Sequence, residues 1–461
     1  MSRKVGGREA TTGVIPGRYC LSVGKPDRPS PEGWSWKPLL ELARLESGHT
    51  PSRRKPEYWG GDVSWIGIKD ATGNHGQTIP ETIQHTNELG IANSAARVLP
   101  ANTVCLSRTA SVGYVVVMGK PMATSQDFAN WVCGPDLDYR FLKYALLAEN
   151  EALHRFSYGS THRTIYYPEL KAFHVCVPDR EKQEEIADIL QALDDKIELN
   201  RKTAATLEEM ARALYRSWFV DFDPVHAKAA GRPPAHMDAQ TAALFPDSFG
   251  EDGLPEGWEF TTIGEAGNIA GGATPKTKET SYWEDGHHLW ATPKDLSSLK
   301  QPVLFDTDRK ITDAGLAKIS SGLSPEGTLL LSSRAPIGYL AIAKKPVAVN
   351  QGFIAIRETE KISGLEAYFW CAENMDLIHA NANGSTFQEI SKKNFRPLEY
   401  VLASSEVREA FKQQTGALFD RISTACEENQ TLAALRDTLL PRLMSGELRV
   451  GEAKEQVEAV A

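Results

Sequence analysis

Two stretches of this sequence hold residue types that catalysis uses. Pro135-Asp136 with Glu169-Leu170-Lys171 offers the carboxylates and lysine of a metal-dependent nuclease, in which acids hold Mg²⁺ and the amine assists. Asp221-Phe222-Asp223-Pro224-Val225 has the acid and proline of an amino-methyltransferase motif. Neither is complete: the first spaces its groups too widely, and the second lacks the further proline and the aromatic residue. No GxxxxGK[ST] loop or glycine-rich strand-to-helix turn is present to cradle a nucleotide. His49, His85, His154, His162, His174, His226, His236 and His379 lack metal-ligand spacing to acidic neighbours, and the adjacent His287-His288 reads as a loop. Cys20, Cys105, Cys133, Cys176, Cys371 and Cys426 form no CxxC pair, against a zinc cluster or a secreted disulfide framework. The sequence therefore predicts no catalytic residue, no metal site and no cofactor in this chain.

Other side chains suit a polyanion. Nucleic-acid affinity comes from Lys and Arg on phosphates, and base choice from Arg, Gln or Asn on base edges. Candidates in turn-rich stretches of the first half are Arg53, Arg54, Lys55, Lys69, Arg108, Gln126, Ser160, Thr161, His162 and Arg163. In the second half they are Lys276, Lys278, Lys294, Arg334, Gln351, Ser385, Thr386 and Gln388. The net charge of -9 supplies no overall basic footprint, so such binding has to be local. Much of the acidity crowds one segment: Glu181, Glu184, Glu185, Asp188, Asp194, Asp195, Glu198, Glu208 and Glu209 suit a surface that meets other proteins. No apolar run approaches the roughly 20 residues of a membrane span and the N-terminus lacks a signal-peptide core, so a reduced, cytoplasmic location without membrane contact is expected.

The elements that position these residues follow from an internal repeat. PEGW at 31–34 recurs at 255–258, and the same shift of 224 maps Thr50-Pro51 onto Thr274-Pro275 and Tyr58-Trp59 onto Tyr282-Trp283. One residue further in register, Trp65, Lys69-Asp70, Gly113-Tyr114, Gln126, Phe128 and Gly159-Ser160-Thr161 meet Trp290, Lys294-Asp295, Gly338-Tyr339, Gln351, Phe353 and Gly384-Ser385-Thr386. A chain of 461 residues exceeds one core, and here it is a tandem duplication. The nuclease-like acids are not duplicated, since Lys361, Asn394 and Arg396 stand at Asp136, Glu169 and Lys171. Positions shared between the copies suit phosphate or the fold itself, whereas His162-Arg163 against Phe387-Gln388 marks where two readers would differ.

Each copy has two parts. Residues 31–180 and 255–403 are rich in Gly, Pro and β-branched residues, with strand-like runs at 114–117, 173–177, 328–332 and 339–343 that predict compact mixed α and β domains. Residues 181–222 and 404–448 carry almost no Gly or Pro. The apolar stripe of the first runs Ile186, Ile189, Leu193, Ile197, Asn200, Ala204, Leu207, Ala211, Leu214, Trp218, and Phe411, Leu418, Ile422, Ala425, Asn429, Leu432, Leu439 and Leu443 continue it 225 residues on. Steps of three and four predict two long helices that pair with each other. Asn200 is expected to face Leu, Ile or Ala there, a lone polar residue that fixes register or sits at the edge of the pair. Residues 223–254 read as a polar connector, 1–30 as a loosely ordered leader and 449–461 as a tail.

The run LDDKIELNRKTAATLEEMARALYRSWFVDFDPV (193–225), FPDSF with LPEGW (245–258) and TLLPRLMSGEL (438–448) resembles the helical regions of type I restriction-modification specificity subunits. The TP, YW, KD and SR…GY blocks resemble their target-recognition domains, and the likeness runs from about residue 31 to the end. It implies a non-catalytic subunit that binds double-stranded DNA, with two methyltransferase subunits that use S-adenosylmethionine and two restriction subunits that use ATP and Mg²⁺. The fold expected is α+β, two tandem recognition domains separated by an antiparallel coiled coil with a pseudo-two-fold axis. A helix over 186–218 would span roughly 50 Å at about 1.5 Å per residue, room for two readers at least one DNA turn apart. The alternatives are an interaction scaffold that never touches DNA and a methyltransferase or nuclease with an unrecognised site.

Overall fold

The computed structural model describes residues 13–159, 162–384 and 388–459. It divides into two compact units, residues 1–197 with 430–461 and residues 198–429. Each is built on a mixed α/β domain, and the two domains share their sheet order.

In the first domain the main sheet runs Ala43–Ser47, Phe128–Cys133, Val104–Ser107, Val115–Met118, Thr78–Ile79, antiparallel except for the last pair. In the second it runs Asn268–Ala270, Phe353–Arg357, Leu329–Ser333, Ile337–Ala343, Val303–Leu304, again with the last pair parallel. Val104–Ser107 and the valine-rich Val115–Met118 are buried throughout, as central strands covered on both faces should be. A smaller sheet stands beside each. Its central strand is Trp59–Ile66 in the first domain and His288–Ala291 in the second, each with one parallel and one antiparallel neighbour. The expected strands at 114–117, 173–177, 328–332 and 339–343 lie at Val115–Met118, Phe173–Val177, Leu329–Ser333 and Ile337–Ala343.

The leader departs from expectation. Ile15–Pro16 and Leu21–Val23 form strands, and Leu21–Val23 pairs with Phe173–Val177 in a four-stranded sheet. Two causes hold it. Cys20, Leu21 and Val23 are buried, and the buried Glu149 carboxylate accepts hydrogen bonds from the backbone N–H groups of Arg18, Tyr19 and Leu21. Among the described residues, the equivalent sheet of the second domain holds two strands, Glu259–Thr262 and Glu399–Leu402. The connector and tail also contain helices, Asp223–Ala229, Ala239–Ala243 and Val450–Glu458.

The long helices are Arg180–Phe219 and Ser405–Met444. The first starts where the Asp179 carboxylate accepts from the Lys182 N–H at 2.9 Å, an N-cap. It ends at Phe219, and three residues on the chain turns at Phe222, in the left-handed region at φ 51° ahead of Pro224. Most stripe residues are buried, with one adjustment: Leu214, Leu418 and Ala425 are half-buried while their neighbours Tyr215, Phe419 and Cys426 take the interior. The helices pair antiparallel. In the first unit Asp194 meets Arg436 at 2.9 Å; in the second Asn200 meets Asn429, and Trp218 and Tyr215 meet Phe411. Asn200 therefore does not face apolar residues. Its amide donates to Asn429 Oδ1 at 3.1 Å and to Glu428 Oε2 at 2.7 Å, so one stripe asparagine satisfies the other, as burial requires.

Each domain seats a ten-residue helix on the long ones. From Tyr139–Ala148, Tyr144 donates to Asp194 at 2.7 Å and Arg140 pairs with Asp188. From Gly364–Glu373, Tyr368 donates to Glu208 at 2.6 Å and Glu373 pairs with Arg216. The second of these helices also carries the buried Glu366, whose carboxyl accepts from the Tyr400 hydroxyl. Burial pushes Glu366 up to about 7 from its ordinary 4.5, against the opposing effects of that bond and of Arg408. Between those values the unfolded chain releases this proton and the folded one keeps it, so stability falls as pH rises through the window and levels off above it. We expect the Glu366→Gln protein to lose less stability than the parent between pH 5 and 8, by up to about 3 kcal/mol. Denaturant titrations of both proteins across that range check this, and parallel curves would exclude it.

Candidate nucleic-acid interface

The small sheet of each domain anchors the loop that follows it in space. In the first domain Trp65 Nε1 donates to His49 O at 3.1 Å and His49 N to Thr124 O at 2.9 Å, which fixes the chain entering Thr50-Pro51. Thr50 Oγ1 then bonds Gln126 Oε1 at 2.5 Å. Arg108 donates to Gln126 O at 3.1 Å and lies over the Tyr167 ring, and Ala110 N bonds Arg163 O at 2.9 Å. Thr50, Gln126, Arg108 and Arg163, far apart in sequence, thus belong to one hydrogen-bonded set of loops.

The second domain repeats the anchor. Trp290 Nε1 donates to Ala273 O at 3.1 Å, Ala273 N to Val349 O at 3.1 Å, and Thr274 Oγ1 bonds Gln351 Oε1 at 2.5 Å. The SR pairs, however, are not equivalent. Arg108 N bonds Asp127 O as Ser333 N bonds Gly352 O, while Thr109 bridges Thr164 as Arg334 bridges Glu389. The 225-residue register that sets Arg108 at Ser333 holds through the strand pair, so the second arginine stands one place along in the sequence itself, at the position of Thr109, where it faces Glu389 at 3.6 Å.

The shared Lys-Asp pair splits into two roles. Asp70 and Asp295 are buried caps: Asp70 accepts from Gly67 N and Ile83 N, and Asp295 from Thr292 N and Asp308 N. Lys69 and Lys294 are exposed, and Lys294 pairs with Asp308 at 2.9 Å. Arg54, Lys276, Lys278, His162, Arg163 and Gln388 are exposed, and Lys55 bonds the Tyr58 hydroxyl at 3.0 Å, which raises its pKa. Ser160, Thr161, Ser385, Thr386 and Phe387 lie outside the described residues.

A feature the sequence reading did not pick out is a pair of tryptophans in each domain that meet edge to face, Trp59 with Trp65 at 5.2 Å and Trp283 with Trp290 at 4.9 Å. An arginine lies over each pair: Arg53 is 3.9 and 4.9 Å from the two ring centroids, and Arg309 is 3.5 and 5.7 Å from its own. The tryptophans are visible in the repeat. The arginines are not, because position 53 aligns with Thr277.

The catalytic look-alikes resolve into structure. Glu169 is buried in the short helix Tyr167–Lys171 and Asp136 is exposed in a turn. In DFDPV, Phe222 packs on Phe249 and Trp258, and Asp223-Pro224-Val225 open the helix Asp223–Ala229 with Val225 buried, so the motif is a helix junction. His287 and His288 come together with Asp313, their possible ligand atoms all within 4.8 Å. The three are suited to a divalent ion, and the carboxylate lies 25 residues beyond His288, outside any local motif. As the residues stand, His288 bonds Asp313 at 2.7 Å and holds its carboxyl below the usual range. No helix among the described residues is long and apolar enough to cross a membrane.

Two copies of one loop-bearing α/β domain, each followed by a long helix, with basic and amide side chains set on hydrogen-bonded loops, define a tandem recognition protein. The chain belongs to the type I restriction modification DNA specificity domain family, whose model matches residues 31–209 and 255–406. It is 25% identical over 430 residues to the type I restriction enzyme MjaIX specificity subunit of Methanocaldococcus jannaschii, covering 92% of this chain and 95% of that protein. It is 27% identical over 354 residues to the HindI specificity subunit of Haemophilus influenzae, covering 66% and 76%. The crystal structure of a type I restriction-modification S subunit from M. genitalium aligns with a TM-score of 0.53 at 18% identity, covering 89% of this chain and 96% of that one, which shows the shared fold. Specificity subunits are non-catalytic, and the family supports DNA target recognition as the role of this chain.

Proposed function

We propose that this chain reads a bipartite duplex target, one half-site per α/β domain, and directs adenine methylation and restriction by partner subunits. The observation that carries the reading is the duplication of the anchored loop: the Trp-to-carbonyl bond and the Thr-to-Gln bond recur at Thr50 and Gln126 and at Thr274 and Gln351. One chain thereby presents the same framework twice. The long helices suit protein partners, since Glu181, Glu185, Asp188, Asp195 and Glu209 leave an exposed acidic surface that repels phosphate. Two methyltransferase subunits with S-adenosylmethionine, and two restriction subunits with ATP and Mg²⁺, complete the cytoplasmic complex in this reading. The test is binding of duplex DNA by the full chain across a salt series, since phosphate contacts make affinity fall steeply with salt. Salt-independent or absent binding would leave the interaction scaffold, which the acidic helices favour, as the reading.

A further inference from the structure

The two arginines on the tryptophan pairs occupy matching places by different routes. The tryptophans align, Trp59 with Trp283 and Trp65 with Trp290. Arg53 comes from the loop after Thr50-Pro51, and its counterpart by sequence is Thr277. Arg309 comes from a strand, where it lies opposite Trp290, and the residue opposite Trp65 is Gln84. Arg53 reaches across to that position, donating to Gln84 Oε1 at 2.8 Å. Where one domain has arginine on the strand, the other has glutamine there and an arginine brought in from the loop. A cation over the tryptophan pair has been kept while the residue that supplies it has changed.

The surroundings say what the cation can do. Arg53 and Arg309 are exposed, and Trp65 and Trp290 beneath them are buried with their indole N–H groups tied to backbone carbonyls. Stacking holds the guanidinium in place at little entropic cost and leaves its donor fork intact. Neither cation is neutralised. Arg53 bonds a neutral amide, and among the described residues the Arg309 guanidinium has no hydrogen-bond or ion-pair partner. Other candidates differ: Lys294 faces Asp308 and Arg334 faces Glu389. A pre-positioned planar donor fork without a carboxylate fits an oxyanion.

Resting on the proposed DNA-reading role, we infer that Arg53 and Arg309 each hold a backbone phosphate of the duplex, as a fixed clamp beside loops that choose bases. The argument for phosphate over a base edge is sameness. Side chains that choose sequence should differ between two readers, as His162-Arg163 and Phe387-Gln388 do, whereas the element common to both readers meets the element common to all DNA.

The experiment measures binding of the full chain to a random-sequence duplex several turns long by fluorescence anisotropy, over a range of NaCl concentrations. Arg53→Ala and Arg309→Ala are each expected to weaken binding about tenfold and to reduce the slope of log affinity against log salt by about one phosphate. The pair Arg53→Thr with Gln84→Arg, which installs the second domain's solution in the first, restores both. Partial unfolding lowers apparent affinity without altering the slope, so reduced affinity at parental slope overturns the assignment, as does no change at all. Parental protein that fails to bind the duplex removes the DNA-reading role itself, a result separable from loss in the variants alone.

Discussion

Grafting the segment Ile15–Val177 from a relative onto this chain is expected to replace one half of the methylated sequence and leave the other half unchanged. Modularity follows from the duplication, because each domain carries its own main sheet, anchored loop and core. The boundaries follow from the leader. A graft beginning at residue 31 would leave the host's Leu21–Val23 to pair with a foreign Phe173–Val177 strand, and the Glu149 carboxylate to receive backbone amides it does not match. Starting at Ile15 keeps those partners together. Methylome sequencing of a host carrying the chimera reads both halves at once. A motif altered in both halves would refute independent readers.

Trp218→Ala and Leu443→Ala are expected to cost roughly 3–5 and 2–5 kcal/mol of stability and to reduce assembly with methyltransferase subunits before either changes base preference. Trp218 is 2% exposed, with Phe245 at 4.9 Å and Phe411 at 5.9 Å, in the core of the second unit. Leu443 is fully buried in the first, in the cluster that holds Ile186 and Leu193. Neither lies among the loops built around Gln126 or Gln351, so the damage is to support rather than to reading. Denaturant midpoints and co-purification with the methyltransferase subunit measure the two losses. A changed half-site with normal assembly would contradict the assignment.

The long helices were legible because their stripe repeats every three or four residues for some thirty residues, and because the second copy repeats it. What they bury was less so. The antiparallel register that sets Asn200 against Asn429 depends on which residues face each other across two segments, and no local pattern records that. The leader strands escaped for a related reason. Two and three residues are too short for a strand signal, and the strand that ties them to the domain, Phe173–Val177, is remote in sequence from Leu21–Val23. Within the candidate interface, Gln126 and Gln351 stand out in the repeat because the same threonine bond holds both. Arg309 does not, since its equivalence to Arg53 lies in the space above two tryptophans and not in the alignment. The SR pairs show the converse, a likeness of two letters that lies one residue out of the 225-residue register and so marks no structural equivalence.

The first unit is interrupted by the second: its core needs Leu432, Leu439 and Leu443 as well as Ile186 to Ile197. On the ribosome those closing residues emerge some 230 residues after Ile197, a delay of tens of seconds at about 5–20 residues per second. The second unit is one uninterrupted stretch and can condense while the first waits with half of its helical stripe bare. The order of maturation is therefore inside-out, and a nascent chain cut short just after residue 429 would carry a finished second unit beside an unsealed first one. Quality control in the cell, acting on exposed apolar surface, has a clear mark by which to distinguish the truncated product from the complete subunit.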